Sequence, residues 1–224
     1  MKKKITCGLM VFATLTALLA GCGKQEEELT EYDSSKESIY IHSDGRIDAT
    51  TLGTFDQDYY DIDEYEAFVQ AKVDDYNAAN PVSAEEDGTD VLPVSVTKIS
   101  LEDSLVTMKL SYGSADSYLG FNREYQNMSA DTYFEICYTG DEDASMDGVS
   151  FVSAEDGAAV DSDKALEVYA KESKKTNFVG LNFSTELTTD GTILYVSDSD
   201  CIEITGKNTA TVTTDGAPVY IIYK

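Results

Sequence analysis

The side chains able to do chemistry in this chain are abundant in one class and scarce in every other. There is a single histidine, His42, at the end of a predicted strand beside a turn, and no Gly-x-Ser-x-Gly or comparable motif offers it an orienting acid and a nucleophile. It reads as a polar turn-flanking residue. Carboxylates number 42, so no pair of them can be singled out as the two converging carboxyls of a glycoside hydrolase. Two groups have a spacing that suits an oxygen-ligand cation. Asp56, Asp58, Asp61 and Asp63 cluster ahead of a predicted helix and are weak candidates for a Ca²⁺ site. Asp141, Asp143, Ser145 and Asp147-Gly148 follow part of an EF-hand loop, but Met146 stands where the loop needs glycine and Val152 where it needs an acid. Fifteen tyrosines and no tryptophan suit either a core or a surface that binds sugar or peptide, since a phenol has an apolar face and a polar tip. Tyr59 and Tyr60 cannot both point inward from an extended segment.

The elements that must position these residues are legible in parts. Ser38 to His42 and Arg46 to Leu52 flank Ser43-Asp44-Gly45 and predict a hairpin with Ile39, Ile41, Ile47 and Ala49 on its buried face. Ile62, Tyr65, Phe68, Val69, Val73 and Tyr76 recur at three- and four-residue steps and predict the main helix, about residues 61–77. Asp61 is its cap and Glu64 lies three residues on. A second hairpin follows from Val94–Ile99 and Leu105–Leu110, and residues 114–122 predict a short helix. Strands are expected near 133–138, 149–152, 178–183, 193–197, 201–205, 210–214 and 219–223, with a further helix from Ser162. The fold class is therefore α+β: mostly antiparallel sheet built from hairpins, packed by one main helix and one or two shorter ones. A hairpin–helix–hairpin order can be drawn at 38–112 and again at 133–197, which leaves open two subdomains split near 123–132. The alternative is a single sheet with helices on one face.

The first residues belong to a different kind of segment. Lys2-Lys3-Lys4 precede an apolar run from Ile5 to Ala20, too short to span a bilayer, in the layout of a secretory signal. The run ends in Leu19-Ala20-Gly21-Cys22, which resembles the lipobox of bacterial lipoproteins. That resemblance implies cleavage between Gly21 and Cys22 and a lipid on the Cys22 sulfur. Cleavage takes three lysines and no acid from 16 basic and 42 acidic residues, so the remainder carries −29. A charge of that sign and size excludes nucleic acid and anionic headgroups as partners, because both are bound through Lys and Arg. The expected contact with the membrane is the lipid alone. Residues 22–36, rich in Glu and Ser, predict a solvated tether and residues 37–224 the extracytoplasmic domain. Only Cys137 and Cys201 remain in that domain, each on the strand face opposite isoleucine, as separate thiols or as one disulfide.

The lipobox, Ser38-Ile39-Tyr40-Ile41 with Asp44-Gly45, the lead from Phe55-Asp56 through Tyr59-Tyr60-Asp61 into the helix, Tyr76-Asn77, Ile193 to Ser197 and the ending Tyr220 to Lys224 together resemble a group of uncharacterised lipoproteins of anaerobic Gram-positive gut bacteria. The resemblance implies an origin and the outer face of a cell membrane as the compartment, and carries no activity with it. The function expected is a non-enzymatic binding or interaction module at the cell surface, for an envelope or extracellular ligand. The alternatives are an Asp/Glu-dependent hydrolase acting on glycan or peptide, and a Ca²⁺-stabilised structural module.

Overall fold

The computed structural model describes residues 30, 32, 35–81, 92–138, 148–171 and 176–224. In chain order the elements are β1 (Ser38–Ile41), β2 (Ile47–Thr54), α1 (Ile62–Ala79), β3 (Val94–Glu102), β4 (Leu105–Tyr112), α2 (Ala115–Tyr125), β5 (Phe134–Tyr138), β6 (Phe151–Ser153), β7 (Ala159–Val160), α3 (Ser162–Lys171), β8 (Asn177–Leu181), β9 (Thr185–Thr189), β10 (Ile193–Ser197), β11 (Ile202–Gly206), β12 (Thr209–Val212) and β13 (Val219–Tyr223). Among the described residues the strands form a larger sheet in the order β11-β12-β9-β1-β2-β4-β3 and a smaller one in the order β5-β8-β13-β10-β6-β7. All their pairings are antiparallel except β1 with β9. The α+β class is thus the one read from the hairpins and helix periodicity.

Of the arrangements left open, the single sheet with helices on one face gives way to two sheets whose inner side chains meet in one hydrophobic cluster. Ile39, Ile41, Ile47, Ala49, Leu110, Tyr112 and Leu187 enter it from the larger sheet, and Phe134, Val179, Leu181, Val196, Val219 and Ile221 from the smaller. The two sequence halves are also interleaved. β9, β11 and β12 complete the larger sheet beside β1, so a cut near 123–132 would part hydrogen-bonded neighbours. The C-terminal strand β13 lies between β8 and β10, as its apolar run requires. The far face of the smaller sheet holds a second cluster, Cys137, Phe151, Phe178 and Ile222, covered by Ala165 and Leu166 of α3.

Helix α1 is held on the edge strand β3. Asp61 Oδ1 accepts from the amides of Asp63 (2.8 Å) and Glu64 (3.1 Å), which satisfies two of the helix's free N–H groups. At the other end Asn77 grips the start of β3 with both ends of its amide, donating to Val94 O (2.8 Å) and accepting from Val94 N (3.0 Å). Val69, Val73 and Tyr76 are buried beneath the helix, whereas Phe68, counted in the same apolar stripe, is 59% exposed.

The domain reaches back further than Glu37. Thr30 N donates to Asn208 Oδ1 (2.7 Å), and Asn208 Nδ2 donates to Thr30 O (3.0 Å) and Thr189 O (2.7 Å). Tyr32 donates to Ser38 O (3.2 Å), shares a 2.8 Å hydrogen bond with Thr50 Oγ1 and stacks on Tyr40 at 5.4 Å. Thr30 and Tyr32, both within the tether predicted to run to residue 36, therefore form a strap on the outer face of the larger sheet. The strap also sets a direction. Asn208 sits level with Ile41, through Thr189, and Ile41 pairs with Ile47. From Ile47 strand β2 runs seven residues to Thr54, about 23 Å at about 3.3 Å per residue. The chain enters the domain at one end of this sheet and β2 leaves it at the other.

Candidate functional site

At that second end the chain builds a row of aromatic rings. Phe55 N donates to Ser104 O (2.7 Å), which ties the end of β2 to the tip of the β3–β4 hairpin. A turn closed by Tyr60 N to Gln57 O (3.1 Å) then delivers the chain to the Asp61 cap. Five residues suspended between these two fixed points hold the rings in contact. Tyr59 and Tyr60 meet edge to face at 4.9 Å, Tyr60 and Phe55 at 4.9 Å, and Phe55 and Tyr65 edge to face at 5.2 Å. These are the separations at which aromatic pairs attract. The inner end is anchored in the core, where the half-buried Tyr65 hydroxyl lies 3.7 Å from Met108 Sδ. The outer end stands in water: Tyr59 is 77% exposed and Tyr60 44%. Contact with the Tyr59 hydroxyl, and then the Asp56 carboxylate nearby, raise the Tyr60 phenol above its ordinary value. Leu101 and Leu105, at the adjoining hairpin tip, are also exposed.

Among the described residues no three His, Cys, Asp or Glu side chains come together to hold an ion. Of the four predicted ligands Asp61 is engaged by the helix amides, Asp56 accepts from Gln57 Nε2 (2.9 Å), and Asp58 and Asp63 are exposed separately. The acids instead surround the rings. Asp56, Asp58, Asp61, Asp63, Glu64 and Glu66 are all exposed, Glu102 and Asp103 lie at the hairpin tip, and no Lys or Arg occurs between Arg46 and Lys72. Lys72, the one base of α1, is already over rings, 5.5 Å from the centroid of Phe68 and 5.4 Å from that of Tyr125.

His42 does have an acid: Asp48 Oδ2 is 2.9 Å from Nε2, brought there by the Ile41–Ile47 register of the hairpin. Tyr40 stands edge-on to the imidazole at 4.6 Å. Among the described residues no hydroxyl or thiol is hydrogen-bonded to His42 as a nucleophile for the pair to activate. On the far face of the smaller sheet, Tyr133 donates a short hydrogen bond to Glu135, whose other oxygen accepts from Cys137 Sγ at 3.1 Å. Burial, and then the Glu135 carboxylate, push the Tyr133 phenol up. Cys137 belongs to the second cluster and Cys201 packs against the first, and no disulfide joins them.

Gly21, Cys22 and the loop from Asp141 to Asp147 lie outside the described residues. The aromatic row was foreshadowed only by the incompatibility of Tyr59 and Tyr60 with a common inward direction. Tyr32 and Asp48 carried no signal beyond the hairpin register that sets Asp48 beside His42. No protein-family model, no curated protein and no solved structure matches the chain.

Proposed function

We propose that the chain is a non-enzymatic binding module, anchored by a lipid on Cys22 to the outer face of a cell membrane, and that the aromatic row is its binding face. The observation that carries the reading is the exposure of Tyr59 and Tyr60 on a turn tied at both ends. Rings held to one another, fixed at their inner end and left in water at the other, present apolar area at a reduced ordering cost on binding. The strap supports the same reading. Thr30 lies eight residues after Cys22, a reach of at most about 28 Å, and the chain joins the domain at the end of the larger sheet opposite the aromatic row. A lipid at Cys22 would thus hold the domain close to the bilayer with the rings turned outward.

The test compares three full-length proteins in cells and on isolated envelope material. The Cys22→Ser variant should leave the membrane fraction with its domain folded; firm retention in that fraction would overturn the anchor. Tyr59→Ala combined with Tyr60→Ala should stay in the membrane fraction but lose retention on envelope material when purified in detergent, with unchanged melting. Equal retention of this variant would remove the aromatic row as the binding face.

A further inference from the structure

The field around the rings specifies what they take. Six exposed acids flank the row in sequence and two more stand at the hairpin tip that Phe55 N ties to it, with no base between Arg46 and Lys72. Part of that charge is already answered: Asp61, Asp63 and Glu64 face the positive end of α1. Asp56, Asp58, Glu66, Glu102 and Asp103 have no such counterpart, and the electrostatic complement of exposed rings set among them is a cation. A neutral sugar would stack on the rings and donate hydroxyls to the carboxylates but leave their charge unneutralised. An anionic polymer would be repelled by them.

We infer that the aromatic row binds a basic polypeptide segment, its Lys or Arg side chains lying on Tyr59 and Tyr60 with their charged ends toward Asp56 and Asp58; this rests on the reading of the row as the binding face. The chain contains a local example. Lys72 of α1 is held over Phe68 of the same helix and Tyr125 of α2, at distances where a ring face attracts an ammonium. The apolar stems of Lys and Arg cover ring surface while the heads remain in water beside carboxylates. The row is also extended: three successive ring contacts of 4.9, 4.9 and 5.2 Å give it the length to take more than one side chain of an extended segment, whose same-face residues recur about every 7 Å. Leu101 and Leu105, exposed at the hairpin tip, offer the segment's apolar residues a place beside it.

The experiment titrates the full-length chain in nonionic detergent, at about physiological ionic strength, into a fluorescently labelled Lys-rich peptide, with a Glu-rich peptide and a neutral oligosaccharide as parallel probes. Three variants accompany the wild type, each checked by thermal melting. Tyr59→Ala with Tyr60→Ala leaves the charge unchanged and should weaken Lys-peptide binding about ten-fold, the size of two exposed ring–cation contacts. Asp56→Asn with Asp58→Asn keeps the rings and should weaken it by a similar factor. Glu186→Gln with Glu203→Gln removes the same charge from the outer face of the larger sheet and should change it less than two-fold. Equal losses from both acid pairs, with none from the tyrosine pair, would show attraction by net charge alone and overturn the inference. Tyrosine-dependent binding of the oligosaccharide without binding of the Lys peptide would overturn it while leaving the row as the binding face. Failure of both probes and of envelope material to depend on Tyr59 and Tyr60 would remove the binding face itself.

Discussion

Two aromatic groups of similar composition occupy opposite environments in this molecule. In the first, Tyr76, Tyr112, Tyr118, Phe121, Phe134 and Phe183 interlock between α1, α2 and the two sheets, with ring separations from 5.0 to 6.1 Å. Phe121 is 2% exposed, and the Tyr112 hydroxyl, buried with it, accepts from Asn122 Nδ2 at 3.3 Å. In the second, Phe55, Tyr59, Tyr60 and Tyr65 have ring contacts of similar length, 4.9 to 5.2 Å, but only the inner end is covered. The contacts between rings therefore do not distinguish a core from a surface. What distinguishes them is the second layer: helix and sheet around the first group, carboxylates and water around the second.

The contrast is sharpest in stability. Phe121→Ala would open a cavity beneath α1 and α2 and should cost about 3–5 kcal/mol, read from the urea midpoint. Tyr59→Ala, at a site mostly in water, should fall within about 0.5 kcal/mol of wild type. Comparable losses at the two positions would mean that the outer row is structural and would weaken its assignment as a binding face.

The buried group should also be the molecule's weakness toward alkali. Burial pushes the Tyr118 phenol up to about 12 from 10.0, and burial raises Tyr112 as well. A phenol whose folded pKa lies above its unfolded value contributes stability that is complete below pH 10 and lost as the pH rises from 10 through 12. Two units correspond to about 3 kcal/mol for Tyr118 by linkage. Urea midpoints measured at pH 8, 10 and 11 should fall across that window in the wild type and fall less in Tyr118→Phe, which has nothing to ionise. An identical decline in both proteins would place the alkaline sensitivity elsewhere.

The two groups were unequally legible before the structure. Local pattern was enough for α1, its Asp61 cap and the hairpin face of Ile39, Ile41, Ile47 and Ala49, because each depends on residues a few positions apart. It was not enough for β9. Thr185-Glu186-Leu187-Thr188-Thr189 has one apolar side chain and no alternation, yet the strand bridges β1 and β12 across nearly the whole chain. With β9 unread, the joining of both halves into the larger sheet was hidden too. For the site, the acids near residues 56–63 attracted attention as ligands. Their number was visible, but it took the turn and the cap to show that they surround rings and do not converge on a point. Asp48 was invisible as a partner for His42 for a related reason: the pairing depends on the register set by the Ser43-Asp44-Gly45 turn.

The smallest effect bears on how the outer row keeps its shape. The buried group is fixed by packing from several elements, whereas the turn carrying Tyr59 and Tyr60 hangs between the Phe55–Ser104 hydrogen bond and the Asp61 cap. Asp61→Ala removes the acceptor for the Asp63 and Glu64 amides and should cost about 1 kcal/mol, with faster hydrogen exchange at those two amides. Asp61→Asn keeps a side-chain oxygen in the same position and, as an equally good cap, should lie within a few tenths of wild type. The pair separates geometry from charge. If Asn loses as much as Ala, the carboxylate's charge against the helix dipole holds the corner, and the outer row, unlike the buried one, would loosen as its acids are neutralised. If Asn is silent, the corner is held by hydrogen bonds alone, and the charge of Asp61 can be removed in binding experiments without disturbing the rings.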